Sequence, residues 1–356
     1  MTKPVRYQGQ TNNLSGLGTP NLKLAIPQLE KVDEPVRAAL LKIQQWCNDL
    51  TLPVVIPPPH VPIATPGSPI VVPPGSPFAV AITPDGSKAY VCCYSAGDVV
   101  VIDTSTNAIT ATITGFSNPA GIAIDPTGTT AYVCNLGGTT VTPVTISTHT
   151  AGTPITVGNG PFGIALTSTH AYVCNNTDGT VSVIDTSTNL VTHTTTVGNN
   201  PVGIAIDPTE TTAYVTNSSD YTIQAITLAT NVAGTPSAAS FNNPQGIAIT
   251  PDGTIAYVCN FGGTTVTPVS LPAMTLGTAI SGFTNPRFVT VHPNGLATYV
   301  CDRGSGNVIP IIVSSNTLGT SFATGSQPNG IAIDLAGTQG YVCDEGSNDV
   351  CPVVFT

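Results

Sequence analysis

Charged side chains are scarce in this 356-residue chain, 8% of the total against about a quarter in most soluble domains. Lys and Arg together number nine, too few for a surface that neutralises a phosphate backbone, so nucleic acid is excluded as a partner. No apolar run approaches the roughly 20 residues of a membrane-spanning helix, and no membrane partner is expected. The single tryptophan, Trp46, stands near the N-terminus, which leaves the rest of the chain without indole platforms for a stacked quinone cofactor. The opening segment MTKPVRYQGQTNNLSG has no apolar stretch of the kind found in a secretory signal.

Thr, Asn, Ser and Gly take the place of charge, and they are organised as a repeat. Seven prolines, Pro77, Pro119, Pro161, Pro201, Pro244, Pro286 and Pro328, open the unit at spacings of 42, 42, 40, 43, 42 and 42 residues. A period near 42 with several short strands per unit marks a β-propeller blade. In one unit, residues 163–166, 171–175, 180–185 and 191–197 each read as a short strand bounded by turn residues. The seventh unit reaches Thr356 without a fourth strand. Residues 68–72 (SPIVV) precede Pro77 as 154–157 (PITV) precede Pro161, so they are predicted to complete the last blade and cover its open edge. The expected fold is therefore all-β, a seven-bladed β-propeller over 68–356 closed by an N-terminal strand.

The Pro-x-Gly-Ile-Ala-Ile entry followed by Ala-Tyr-Val-Cys-Asn resembles the YVTN family of β-propeller repeats, and residues 213–217 (AYVTN) carry its name-giving sequence. The resemblance covers 68–356 and implies the fold. Members include surface-layer proteins, adhesin-like proteins and a few enzymes, so function has to be read from the site.

Six of the nine cysteines, Cys92, Cys134, Cys174, Cys259, Cys301 and Cys343, hold one position in six blades. Blade stacking keeps such positions apart, so they read as unpaired packing residues. Cys343 and Cys351 lie on adjacent strands, where a disulfide is the alternative to two free thiols.

Residues 1–67 carry six Lys or Arg against four Asp or Glu, whereas 68–356 hold only Lys88, Arg287 and Arg303 against fifteen acids. Asp33-Glu34-Pro35 reads as a capped start to a short α-helix. Val36, Leu40, Ile43, Cys47 and Leu50 then step by 4, 3, 4 and 3, a coiled-coil spacing over two heptads. Two readings follow: a homotrimer seam, or an amphipathic helix packed on the propeller. Residues 51–67, with Pro57-Pro58-Pro59, read as a semi-rigid polyproline linker. Residues 22–50 resemble the N-terminal stretches of bacteriophage tail-fibre and other virion proteins, which implies an anchor over 1–50 that meets other virion proteins.

The five histidines, His60, His149, His170, His193 and His292, do not converge in the repeat, so no catalytic group, cofactor or metal site is expected and the chain reads as no enzyme. Binding is read instead from departures from the repeat. Loops entering the first strand and loops between the second and third strands share one face. There blade six has Phe288 in place of the usual Gly, Arg287 before it, and Asp302-Arg303 in its second loop. Blade seven adds Asn329, Asp344, Glu345 and Asp349. Pairing of Arg287 or Arg303 with Asp302 or Asp344 is one reading. A polar patch for a glycan, with Tyr94, Tyr221 and Phe261 as aromatic platforms, is the other.

Together these features predict a structural component on the exposed surface of a virion, displaying the propeller to a host-surface glycan or protein. The alternative is a bacterial cell-surface or secreted binding module.

Overall fold

The computed structural model describes residues 61–73 and 75–356. The series from Val36 to Leu50, the predicted helix and anchor, and the linker up to His60 lie outside the described residues. Those described form seven antiparallel sheets; in blades one to six the strands run in chain order from the axis outwards, and in blade seven the outermost strands come from the N-terminal side of the sequence. In blade three these are Pro161–Leu166, His170–Asn175, Thr180–Asp185 and Leu190–Thr196. This is the expected all-β, seven-bladed propeller. No helix among the described residues is long and apolar enough to cross a membrane.

The glycine of each Pro-x-Gly entry marks where neighbouring blades meet most closely at the axis. A Cβ on Gly163 would stand 2.1 Å from the carbonyl oxygen of Val202 in the next blade, and one on Gly121 would stand 2.0 Å from that of Phe162. Only a residue without a side chain fits there.

The tyrosine of each second strand is buried, and several reach across to lace one blade to the next. Tyr132 donates to Asn189 Oδ1 at 2.9 Å, Tyr257 to Asn316 Oδ1 at 2.6 Å and Tyr341 to Asn107 Oδ1 at 2.6 Å. The acceptors sit at positive φ in the turn before the outer strand, at 57°, 53° and 57°, a conformation that asparagine tolerates. The last of these bonds joins blade seven to blade one.

A split outer strand accompanies proline on the third strand in four blades, and in blade four Ala225 holds that place and accepts from Gly234 in the same way at 2.8 Å. Pro143, Pro268, Pro310 and Pro352 have no N–H to give, and in their blades the outer strand is split in two. At each split a glycine N–H donates to the proline carbonyl: Gly152 to Pro143 at 2.7 Å, Gly277 to Pro268 at 2.8 Å, Gly319 to Pro310 at 2.8 Å and Gly67 to Pro352 at 2.7 Å. Blades one and three have Val101 and Val183 at that place, and their outer strands Ala108–Thr114 and Leu190–Thr196 run unbroken.

Gly67 belongs to the closure. Ile70 and Val71 pair with Val350 and Asp349, as expected for the segment 68–72. The ladder also extends upstream, with Ala64, Thr65 and Pro66 opposite Phe355, Val354 and Val353. Tyr299 of blade six donates to the Pro62 carbonyl at 2.9 Å, because this N-terminal strand stands where the outer turn of blade seven would be.

Every described cysteine is buried and free. Cys343 lies opposite Val350 and Cys351 opposite Val342, so their side chains point to opposite faces of the blade and form no disulfide. Burial pushes the Cys93 and Cys351 thiols up to about 12, which makes them inert packing groups.

Candidate ligand site at the axial mouth

The first strands enclose an axial cavity of about 170 Å³, lined by glycine, alanine, valine and isoleucine. Phe162 and Phe288 also line it. Both meet Phe78, at centroid separations of 5.7 and 6.2 Å, and lie 6.3 Å from each other. The three rings come from blades three, six and one, so they meet across the axis and narrow the mouth with apolar surface.

Arg287 lies against this aromatic group. Its guanidinium carbon is 4.7 Å from the Phe78 ring centroid, 5.3 Å from that of Phe261 and 5.6 Å from that of Phe288, distances at which a cation is attracted to a ring. Its Nε donates to Gln245 Oε1 at 3.1 Å. Burial pulls its pKa down to about 10, although Glu345 opposes that shift, so it remains charged at neutral pH. Only 14% of the side chain is exposed.

One carboxylate oxygen gathers the polar groups. Glu345 Oε2 lies 3.5 Å from Arg287 Nη1 and 3.2 Å from Arg303 Nη2, and accepts from Asn329 Nδ2 at 3.1 Å. Arg303 Nη2 also donates to Gln327 Oε1 at 2.8 Å. The arginines therefore pair with Glu345, and neither Asp302 nor Asp344 is their partner. The cluster carries two positive charges and one negative in a domain that is otherwise acidic.

Asp302 and Asp344 are buried instead, 1% and 0% exposed. They end the second strand, where blades two to five have Asn135, Asn175, Asn217 and Asn260. In blade five the Asn260 amide donates to Thr265 Oγ1 at 2.9 Å and Thr267 Oγ1 at 3.0 Å. The equivalent positions in blade seven are Asp349 and Cys351. Asp344 Oδ1 accepts from Thr324 Oγ1 at 2.8 Å, while its Oδ2 and the Oδ2 of Asp302 have no hydrogen-bond partner among the described residues. Burial raises both carboxyls, that of Asp344 to about 7.

Of the sequence-predicted residues, Arg287, Phe288, Arg303, Glu345, Asn329 and Phe261 come together, and Tyr94 joins them through Phe78 at 5.5 Å. Asn329 is fully buried beneath Glu345. Tyr221 stands apart, 47% exposed at a positive-φ turn position filled by Gly97, Gly179 and Gly306 in other blades. Phe78, Phe162, Gln245 and Gln327 were not singled out by sequence. The signal for the first three was their shared place directly after the opening proline, which puts a side chain at the mouth.

The fold and mouth define a seven-bladed propeller with a cationic, aromatic-lined axial opening. A hydrazine synthase structure from Kuenenia stuttgartiensis is similar at 20% identity, covering 84% of this chain and 98% of that one, with a TM-score of 0.73. A streptogramin B lyase structure is similar at 14% identity over 82% and 98%, TM-score 0.70. Virginiamycin B lyase from Staphylococcus aureus is similar at 14% identity over 83% and 99%, TM-score 0.70. At such identities the likeness is one of fold. No protein-family model and no curated protein matches the chain. The expectation that the chain is no enzyme is corrected here: all three similar structures carry enzyme names, so this architecture is one that hosts catalysis.

Proposed function

We propose that the propeller is a YVTN-type recognition module whose axial mouth at blades five to seven binds a host-surface glycan, displayed from a virion by the N-terminal segment. The observation that carries the binding site is the convergence of Arg287 and Arg303, two of the propeller's three basic residues, on Glu345 beside half-buried aromatic rings. Such groups suit a sugar, with C–H faces on the rings and hydroxyls or acids on the charged side chains. The virion setting rests on the tail-fibre-like residues 22–50, and display from a bacterial cell surface is its alternative. The test is a glycan array probed with the full chain and with Arg303→Ala and Phe261→Ala. Loss of signal in both variants at unchanged melting temperature supports the reading, and unchanged binding overturns it. Detection of the chain by mass spectrometry in purified particles tests the setting, and its absence there sinks the virion reading.

A second reading is catalysis at the same mouth. It is favoured by Glu345, a carboxylate held at the mouth between two arginines, and by the enzyme names of the similar structures. Turnover of a bound saccharide, lost in Glu345→Gln with binding intact, would replace the recognition reading with this one.

A further inference from the structure

Resting on the recognition reading, the arrangement of donors at the mouth narrows the ligand class. Two guanidinium groups carry ten N–H donors, yet few have acceptors. Arg287 donates through Nε to Gln245 and makes a 3.5 Å ion pair through Nη1. Arg303 uses Nη2 alone, towards Gln327 and Glu345. Its Nε is buried and has no hydrogen-bond partner among the described residues. Two cations thus share one carboxylate oxygen and leave donors unfilled, the opposite of a saturated structural ion pair, in which bidentate bonds fill the guanidinium fork.

The surrounding charge sets a second limit. Residues 68–356 carry fifteen acids against three basic residues, and the third, Lys88, is engaged with Asp103 at 2.5 Å. The body as a whole repels a polyanion, while the mouth attracts a single negative group at short range. Beside the arginines, Phe261, Tyr94 and Phe288 are half-buried and offer ring surface to a sugar face.

We infer that the mouth binds a saccharide bearing one carboxylate, such as a terminal uronic or sialic acid residue. Glu345 occupies the acid's place when the site is free, and the ligand carboxylate shares or displaces it on Arg303 and Arg287. Neutral sugars bind more weakly because they leave the guanidinium donors unfilled. Sulfated polymers bind poorly because the acidic body excludes them.

Calorimetric titration of the full chain with glucuronic acid and the methyl glycoside of N-acetylneuraminic acid, against glucose and a heparin fragment, tests this. Preference for at least one monocarboxylate by about tenfold over glucose is expected, falling as salt is raised. Arg303→Gln should weaken that binding about tenfold, whereas Glu345→Gln should tighten it by removing the competing acid. Opposite signs for the two variants are the signature. Equal affinity for glucose, preference for heparin, or weakening by Glu345→Gln as large as by Arg303→Gln overturns the carboxylate inference while leaving glycan recognition standing. No binding of any saccharide overturns both.

Discussion

In blade five the side chain ending the second strand is Asn260, whose amide is shared between two threonine hydroxyls. In blade seven it is Asp344, with one oxygen bonded and the other left without a partner. The backbone is the same, since Asn260 pairs with Thr265 and Asp344 with Asp349 in matching registers. Regular blades end this strand in an asparagine whose amide bonds within its own blade, whereas blades six and seven bury an acid there and present their basic residues at the mouth. Those two blades also differ in how they are completed, because blade seven draws its outer strand from the N-terminal side of the sequence. Departures from the repeat thus gather where the ring closes and where ligand-type groups converge.

Closure gives the largest difference between the two regions. A chain beginning at Pro77 loses Ala64–Pro66 and Ile70–Val71, their ladder with Asp349–Phe355, the fully buried Val72 and the Pro62 carbonyl that accepts from Tyr299 of blade six. Its last blade then exposes an edge strand. Relative to a chain beginning at Val61, its melting temperature should fall by at least about 10 °C, with aggregation. Calorimetry of the two chains decides the matter, and equal transitions would mean that the ring closes without its clasp.

Asp344→Asn restores the regular residue to blade seven and erases part of the comparison. Burial raises the folded Asp344 carboxyl to about 7, while an unfolded aspartate titrates near about 4. Between those values the folded state holds the extra proton, so wild-type stability falls as pH rises from about 4 to 7 and stays reduced above 7. The variant has no such proton, so its advantage should grow across that window to at most about 4 kcal/mol. Urea unfolding at pH 4.5 and pH 8 measures it. Parallel pH profiles would place the charge burden elsewhere, with Asp302 the next candidate.

Much of the architecture was legible because it is periodic. Seven opening prolines set the blade number, and PITV beside SPIVV located one half of the closing strand. The other half, Ala64–Pro66, was missed because its signal is a relation between distant residues: Gly67 stands to Pro352 as Gly152 stands to Pro143. The site was legible as a set of residues and less so as a geometry. Asp302 and Asp344 looked like loop acids able to pair with arginine, but strand alternation turns them inward and turns the next residues, Arg303 and Glu345, towards the mouth. Phe78 and Phe162 each read as ordinary apolar residues in their own blades, and only ring closure brings them into edge-to-face contact.

The smallest effect concerns the tyrosine lacing, which the regular blades repeat with unequal hydrogen bonding. Tyr132 donates to Asn189 Oδ1 at 2.9 Å. Tyr172 occupies the same position in blade three, but the facing Asn231 Oδ1 has no hydrogen-bond partner among the described residues. Replacing Tyr132 by Phe removes the donor of this part-buried hydrogen bond, which should cost about 1 kcal/mol. Tyr172→Phe keeps the ring and loses no such bond, so its effect should stay within about 0.5 kcal/mol. Chemical denaturation of both variants measures the gap between them. Equal losses would show that the lacing acts through ring packing alone, and that blade two is held to blade three no more firmly than blade three is to blade four.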